Sequence, residues 1–300
     1  MTSEALTVLK QVISDGGIDF SADVPTLREK FNGMLESLPV DDEAVITLRR
    51  VGAIPGCWVT ARAAGVILYL HGGAYVAGTA HGYRGFAARI ASRVGASAFV
   101  PDYRLAPEHP FPAAVSDSLA AYEGLLDLGY PSSQIAVVGD SAGGGLAVAL
   151  LLAVKRSGLP QPTCAVSLSP WADLGVTGAS VEAKAGEDRS LSRAGLNAAS
   201  RAYLPGAESA AEPEASPIYG DLQGLPPLSV HVGSAEILLD DAVRLARTAG
   251  LDQVPAQLKI WPEMVHDWGL FSFMLPEGEQ LIQEVAAFVG SHLKAAVVAR

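Results

Sequence analysis

One stretch constrains this chain more than any other: Gln134-Ile135-Ala136-Val137-Val138-Gly139-Asp140-Ser141-Ala142-Gly143-Gly144-Gly145-Leu146. Five residues with β preference lead into Gly-Asp-Ser-Ala-Gly, and small and apolar residues follow as far as Val154. The pattern predicts strand, sharp turn and helix, with Ser141 at the bend. A G-x-S-x-G turn of this kind strains the serine backbone and needs neighbours without bulk, which Gly139, Ala142 and Gly143 supply. Such an elbow lifts the Ser141 hydroxyl above the edge of a sheet. It also aims the Ala142 N–H, in the first turn of a helix, at the same space. A phosphate-cradling loop is the competing reading, but no G-x-x-x-x-G-K-[ST] string is present and no lysine follows before Lys155.

A strand-turn-helix unit of this kind belongs in an α/β sheet, and the chain is long enough to build one. Its 300 residues, 49% of them hydrophobic, can bury one large core or two ordinary ones. The net charge of −11 argues against nucleic acid or an anionic membrane as partner. Cys57 and Cys164, far apart in apolar stretches, are too few for a disulfide framework or a zinc cage and fit a reducing compartment. The N-terminal Met1 to Leu6 lacks the features of a signal peptide, and the longest apolar run, Leu146 to Val154, falls short of the ~20 residues of a spanning helix. A soluble, cytoplasmic protein is expected.

Residues 1–45 predict two helices, from Leu6, Leu9, Val12 and Ile13 and then from Leu27, Phe31, Met34, Leu35 and Leu38 behind Pro25. They read as a packing pair or, alternatively, as a lid. Short strands follow at Ile46 to Arg50, Cys57 to Arg62 and Val66 to Leu70, the last a continuous apolar run suited to a strand covered on both faces. A helix from Tyr83 to Val94, a strand from Ala98 to Val100 and a helix from Ala113 to Leu128 then alternate, which predicts a parallel sheet. The elbow follows, then a strand from Cys164 to Leu168. From Asp173 to Pro217 the strand rhythm stops; this polar stretch, with one predicted helix from Arg193 to Tyr203, is too long for a plain connection and reads as a cap insertion. The rhythm resumes with a strand from Leu228 to Val232, a helix from Asp240 to Ala249, a strand from Ala256 to Trp261 and a closing helix from Glu279 to Leu293.

Acyl transfer through a serine needs a base, a group that orients the base, and an oxyanion hole. In a sheet of this kind the chain order is serine, acid, histidine. His231 sits within a predicted strand and reads as a core histidine, and His292 lies on the last helix. His266, in the loop after the strand Ala256 to Trp261, is the expected base. The acid should come from the loop after Leu228 to Val232. There Glu236 lies nearest the strand end, whereas Asp240 and Asp241 precede a helix and are explained as first-turn carboxylates. Glu236 is favoured, with Asp240 and Asp173 as alternatives. His71-Gly72-Gly73-Ala74 supplies the other half of the oxyanion hole through backbone N–H groups that join that of Ala142, with His71 orienting the loop. No metal or cofactor is required. Tyr75, Trp171, Met264, Val265 and Trp268 are either pocket walls or core.

These residues resemble the hormone-sensitive-lipase-like family of α/β-hydrolases, the bacterial family IV esterases. The resemblance rests on His71 to Ala74, on Gly139 to Gly144, on Ser169-Pro170-Trp171-Ala172-Asp173, and on the string from Asp102 to Ala114, Asp-Tyr-Arg-Leu-Ala-Pro-Glu-His-Pro-Phe-Pro-Ala-Ala. It extends from about residue 45 to the C-terminus. It implies an α/β-hydrolase fold with a mostly parallel eight-stranded sheet, helices on both faces and a helical cap built from residues 1–45 and an insertion at about 174–217. It further implies a Ser141–His266–Glu236 triad, an oxyanion hole of Gly72, Gly73, Ala74 and Ala142, carboxylesterase activity on short acyl esters, and dimers as often found in the family. Three departures stand out: glutamate at position 236 where aspartate is usual, Ala74 for the third glycine, and Gly145 where asparagine is common. Hydrolysis of lactones, amides or carbamates by the same residues is the alternative. A non-catalytic receptor on this fold is disfavoured, because related plant gibberellin receptors have lost the histidine that this chain keeps.

Overall fold

In the computed structural model, which describes residues 4–41, 43–61 and 65–293, one sheet of eight strands runs through the chain. The strands are β1 (Val45–Val51), β2 (Ile54–Thr60), β3 (Val66–Leu70), β4 (Ser97–Pro101), β5 (Ile135–Asp140), β6 (Cys164–Leu168), β7 (Leu228–Gly233) and β8 (Ala256–Trp261). Their spatial order is β1-β2-β4-β3-β5-β6-β7-β8. The β1–β2 and β2–β4 pairs are antiparallel, and every later pair is parallel. The expected alternation, its strand positions and its mostly parallel pairing all hold. Arg62, the expected end of β2, lies outside the described residues.

Burial follows position in the sheet. Every residue of β3, β4, β5, β6 and β7 is buried, whereas the outer strands β1 and β8 expose most of theirs. Continuous Val, Ile and Leu runs suit strands covered on both faces, and Arg49, Arg50 and Lys259 suit the edges, where charge discourages pairing with another sheet. The covering comes from α3 (Ala80–Val94) packed on α9 (Pro276–His292) and from α4 (Ala113–Asp127) packed on α5 (Ala142–Arg156), together with α8 (Leu239–Leu251). Both cysteines are free and buried in this core, and burial pushes the Cys57 thiol up to about 11. Among the described residues, no helix is long and apolar enough to cross a membrane.

Two parts stand outside the sheet-and-helix core. The first is α1 (Glu4–Gly16) and α2 (Val24–Ser37), the expected helix pair. Asp23 caps α2 by accepting from the Thr26 N–H at 3.0 Å, and Leu27, Phe31 and Leu35 form its buried stripe. The second is the segment between β6 and β7, which carries a short α6 (Ser180–Ala183) besides the expected α7 (Arg193–Tyr203).

Candidate active site

β5 ends at Asp140 and α5 begins at Ala142, so a single residue, Ser141, makes the turn between them. It does so at φ 54°, ψ −122°, a conformation that L-residues rarely adopt. The surroundings enforce it. The Ser141 N–H donates to the Leu168 carbonyl at 2.8 Å, and the Ser141 carbonyl accepts from Trp171 N–H at 2.9 Å. Room for so sharp a turn requires missing side chains: a Cβ on Gly143 would stand 2.0 Å from the Leu70 carbonyl oxygen, and one on Gly145 2.0 Å from that of Trp171. The second contact leaves no room on this backbone for the asparagine common at position 145.

The strained turn presents the Ser141 Oγ to His266 Nε2 at 2.9 Å. On the other side of the ring, His266 Nδ1 lies 2.8 Å from Glu236 Oε2. A carboxylate only accepts, so the Nδ1 proton points at Glu236 and, in the neutral ring, the Nε2 lone pair faces the serine. Glu236 is itself fully buried and held by the Ser169 hydroxyl at 2.8 Å and by the Gly233 N–H. The alternatives for the acid are engaged elsewhere. Asp173 accepts from Thr177 and from Arg244 at 2.9 Å, and Asp240 accepts from the Ser180 N–H at 2.9 Å. His231 is buried, with Nδ1 accepting from Trp261 Nε1 at 3.2 Å and Nε2 beside the Ser229 hydroxyl at 2.9 Å, as expected of a core histidine.

The loop after β3 faces the same space. His71 is stacked between Tyr83 and Tyr103, with ring centroids 5.4 and 4.2 Å away, and its Nδ1 lies 2.7 Å from the Gly72 carbonyl oxygen. Burial pushes its pKa down to about 4, so it is a neutral ring that orients the loop and not a second base. Ala74 and Tyr75 continue the loop at φ 54° and 63°. Among the described residues, no hydrogen bond occupies the N–H groups of Gly73, Ala74 or Ala142. Gly72 requires a correction: its N–H donates to Asp140 Oδ1 at 3.1 Å, so it is not available to an oxyanion.

The Asp102–Ala114 string underlies this loop. Tyr103 donates to the His71 carbonyl at 2.7 Å, and the Ala106 N–H donates to the Tyr75 carbonyl at 2.9 Å. Arg28 of α2 clamps the assembly from outside, donating to the Val76 and Ala106 carbonyls at 2.7 and 2.9 Å and pairing with Glu108 at 2.7 Å.

Above Ser141 lies a cavity of about 100 Å³. Its roof comes from Val12, Ile13 and Gly16 of α1, Ile18 and Phe20 of the connection, and Phe31 and Met34 of α2; Leu270 and Phe271 close one side, and Arg189 and Ser190 another. Tyr75, Trp171, Met264, Val265 and Trp268 take no part in this wall and are buried in the core, so their core reading is the correct one.

Two further residues adjoin the site. Ser169, at φ 43°, joins the Glu236 carboxylate to the end of β6. Asp267, at φ 52°, brings a second carboxyl to within 3.2 Å of His266 Nε2. Among the described residues, the Asp267 Oδ1 has no hydrogen-bond partner. For His266, burial works to lower the imidazole, but Asp267 and then Glu236 outweigh it and raise the ring above its ordinary value of 6.5. In the sequence, Ser169 opens the Ser169–Asp173 string of the resemblance, whereas the signal for Asp267 is adjacency to His266.

A serine on a strand-to-helix elbow, a histidine from the loop after the last strand and an acid from the loop before it reproduce a known arrangement, and similarity covers most of the chain. A family model for the alpha/beta hydrolase fold matches residues 67–270. The chain belongs to the alpha/beta hydrolase family. An esterase of the bacterial hormone-sensitive lipase family superposes with a TM-score of 0.94 at 41% identity, covering 98% of this chain and 100% of that one. An acetyl-hydrolase of Streptomyces hygroscopicus is 39% identical over 294 residues, 96% of this chain and 97% of its own length. An esterase of Acinetobacter venetianus is 33% identical over 267 residues, 88% of each chain. Within the family, this hydrolase sits among the hormone-sensitive-lipase-like esterases and is a carboxylic ester hydrolase.

Proposed function

We propose that the enzyme is a serine carboxylesterase for short acyl esters that works through an acyl-enzyme. The observation that carries this reading is the continuous relay from Ser141 Oγ through His266 to Glu236, at 2.9 and 2.8 Å, on a backbone strained to make it. His266 Nε2 takes the Ser141 proton as Oγ attacks the ester carbonyl. The N–H groups of Gly73, Ala74 and Ala142 receive the negative charge that develops on the carbonyl oxygen. His266 then gives its proton to the departing alkoxide, leaving an acyl-serine. Water attacks this ester with His266 again as base, and the acid leaves. Glu236 holds the ring in one tautomer and stabilises the imidazolium at each step.

The short-acyl part of the proposal draws on the relative of Streptomyces hygroscopicus, an acetyl-hydrolase, and on the bulk of Phe20 and Phe31 in the cavity roof. Their rings meet edge to face, 5.5 Å apart. Residues 1–45 and 174–217 act as the cap: α1 and α2 roof the cavity over Ser141, and Arg189 and Ser190 reach it from the insertion.

Release of p-nitrophenol from acetate, butyrate, octanoate and palmitate esters tests the reading, alongside Ser141→Ala and an alkylphosphonate that adds its mass to the serine. Fast turnover of acetate and butyrate, lost in Ser141→Ala together with the mass increment, is expected. Activity that survives in Ser141→Ala would remove the serine from the mechanism, and palmitate turned over as fast as butyrate would remove the short-acyl limit.

A further inference from the structure

Arg189 stands out on the wall of the active-site cavity. Among the described residues that line it, that wall is otherwise apolar apart from the reacting groups, Asp267 and Ser190, and Arg189 is the one that is cationic at every working pH. It also borders an adjoining shallow cleft, together with Lys10, Gln11 and Ser14 of α1. Arg189, an exposed residue, is therefore shared by the cavity and this cleft, and Lys10 lines the cleft as well.

Neither cation is neutralised by a described residue. Among the described residues, no ion pair or hydrogen bond engages the Arg189 guanidinium or Lys10 Nζ. This is unexpected in a chain with 32 acidic and 21 basic residues. Neighbouring cations on the same insertion do have partners, Lys184 with Glu187 at 3.1 Å and Arg193 with Glu182 at 2.5 Å. The acids nearest in sequence are engaged as well. Asp188 turns inward and accepts from the Ser190, Leu191 and Ile237 N–H groups at 2.9 Å, and Asp15 accepts from Gln11 Nε2 at 2.8 Å. An unpaired guanidinium is a planar fork suited to a carboxylate, and an apolar wall beside it focuses its field.

We infer that Arg189, assisted by Lys10, selects esters whose far end carries a carboxylate, the half-esters of short dicarboxylic acids. The apolar wall between Ser141 and Arg189 would hold the hydrocarbon spacer while the terminal carboxylate meets the guanidinium. Chemistry at the serine is unchanged: an alkyl half-ester and water give the dicarboxylate, the alcohol and one proton. The inference rests on the serine-esterase reading and adds a substrate class to it.

The pair monoethyl glutarate and ethyl pentanoate tests it, since the two share a five-carbon acyl chain and differ in the terminal charge. Alkali uptake in a pH-stat reads the proton released from each. The quantity compared is the ratio of kcat/KM for the charged ester to that for the neutral one. Arg189→Gln should lower this ratio about tenfold, mainly through the KM of the half-ester, as expected for one charge-assisted contact made equally in ground and transition states. Arg189→Lys should recover part of the loss, Lys10→Gln should cost about two- to threefold, and added salt should erode the wild-type ratio. A ratio unmoved by Arg189→Gln, or equally insensitive to salt, would overturn the inference while leaving the esterase intact. Failure of the wild type to hydrolyse even ethyl pentanoate would instead overturn the esterase reading beneath it.

Discussion

The floor and the roof of the active-site cavity are built on different principles. The floor is over-determined: Ser141, His266 and Glu236 are all buried, sit at the ends of three parallel strands, and are fixed by backbone hydrogen bonds and contacts that leave no room for a methyl group. The roof is two amphipathic helices laid across that floor. Of these, α2 is fastened by Arg28 and by Asn32, whose side chain accepts from the Gly78 N–H at 3.0 Å, while α1 is held mainly by Leu6 and Leu9. Val12 both lines the cavity and remains 50% exposed, so the roof is thin where α1 crosses it. The difference separates chemistry from selection. Reaction geometry tolerates little displacement and belongs on rigid strand ends, whereas a wall that only excludes water and measures substrates can be carried by helices with few anchors.

The sharpest break of this comparison is Ser141→Ala against Phe31→Ala. The first should cost about 10⁶-fold in kcat. The second should leave the relay intact and act on substrate choice, which steady-state kinetics over an acyl-length series would reveal. Comparable losses of kcat in the two variants would collapse the distinction between floor and roof.

Within the floor, the two carboxyls flanking His266 should separate next. Glu236→Gln removes the acceptor of the Nδ1 proton and should lower kcat by about 10⁴-fold. Asp267→Asn should act chiefly on the pH profile. In the proposed mechanism activity requires neutral His266, so protonation switches it off as the pH falls, and a raised imidazole places that acid limb above 6.5. Removing the Asp267 carboxyl takes away a group that favours the imidazolium, so the limb should move to lower pH, by about one unit or more. A kcat/KM profile that stays in place would show that Asp267 has no charge in the working range.

A stability test probes how tightly the elbow is packed. Gly145→Asn introduces the family's common residue but places its Cβ against the Trp171 carbonyl, and should destabilise by about 1–3 kcal/mol. Urea unfolding measures this, and a midpoint equal to wild type would mean that Trp171 yields readily. The smallest effect belongs to the roof. In Phe31→Ala the cavity deepens, and octanoate should gain on butyrate by roughly tenfold, given ~0.8 kcal/mol for each methylene that becomes buried. An unchanged preference would assign the acyl chain to another wall.

Much of this molecule was legible before folding. Periodicity placed the strands, because buried parallel strands must be apolar throughout and helices must show a stripe, and those patterns are local. Ser141 was legible for the same reason: the turn it occupies needs small neighbours in sequence as well as in space. His266 followed from chain order. What the sequence alone left open was every decision made between distant segments. Glu236, Asp240 and Asp173 are all carboxylates near strand ends, and only packing shows that Arg244 and the α6 backbone engage two of them while the third meets the imidazole. Gly72 looks like its neighbour Gly73 until Asp140, 68 residues away, takes its N–H. The large aromatic residues beside the motifs suited a pocket wall as well as a core, and the fold put them inside and gave most of the wall to residues from the first 34 positions. Local patterns report which conformations a segment can adopt; which groups then compete for one donor, one charge or one cavity is decided only when the segments meet.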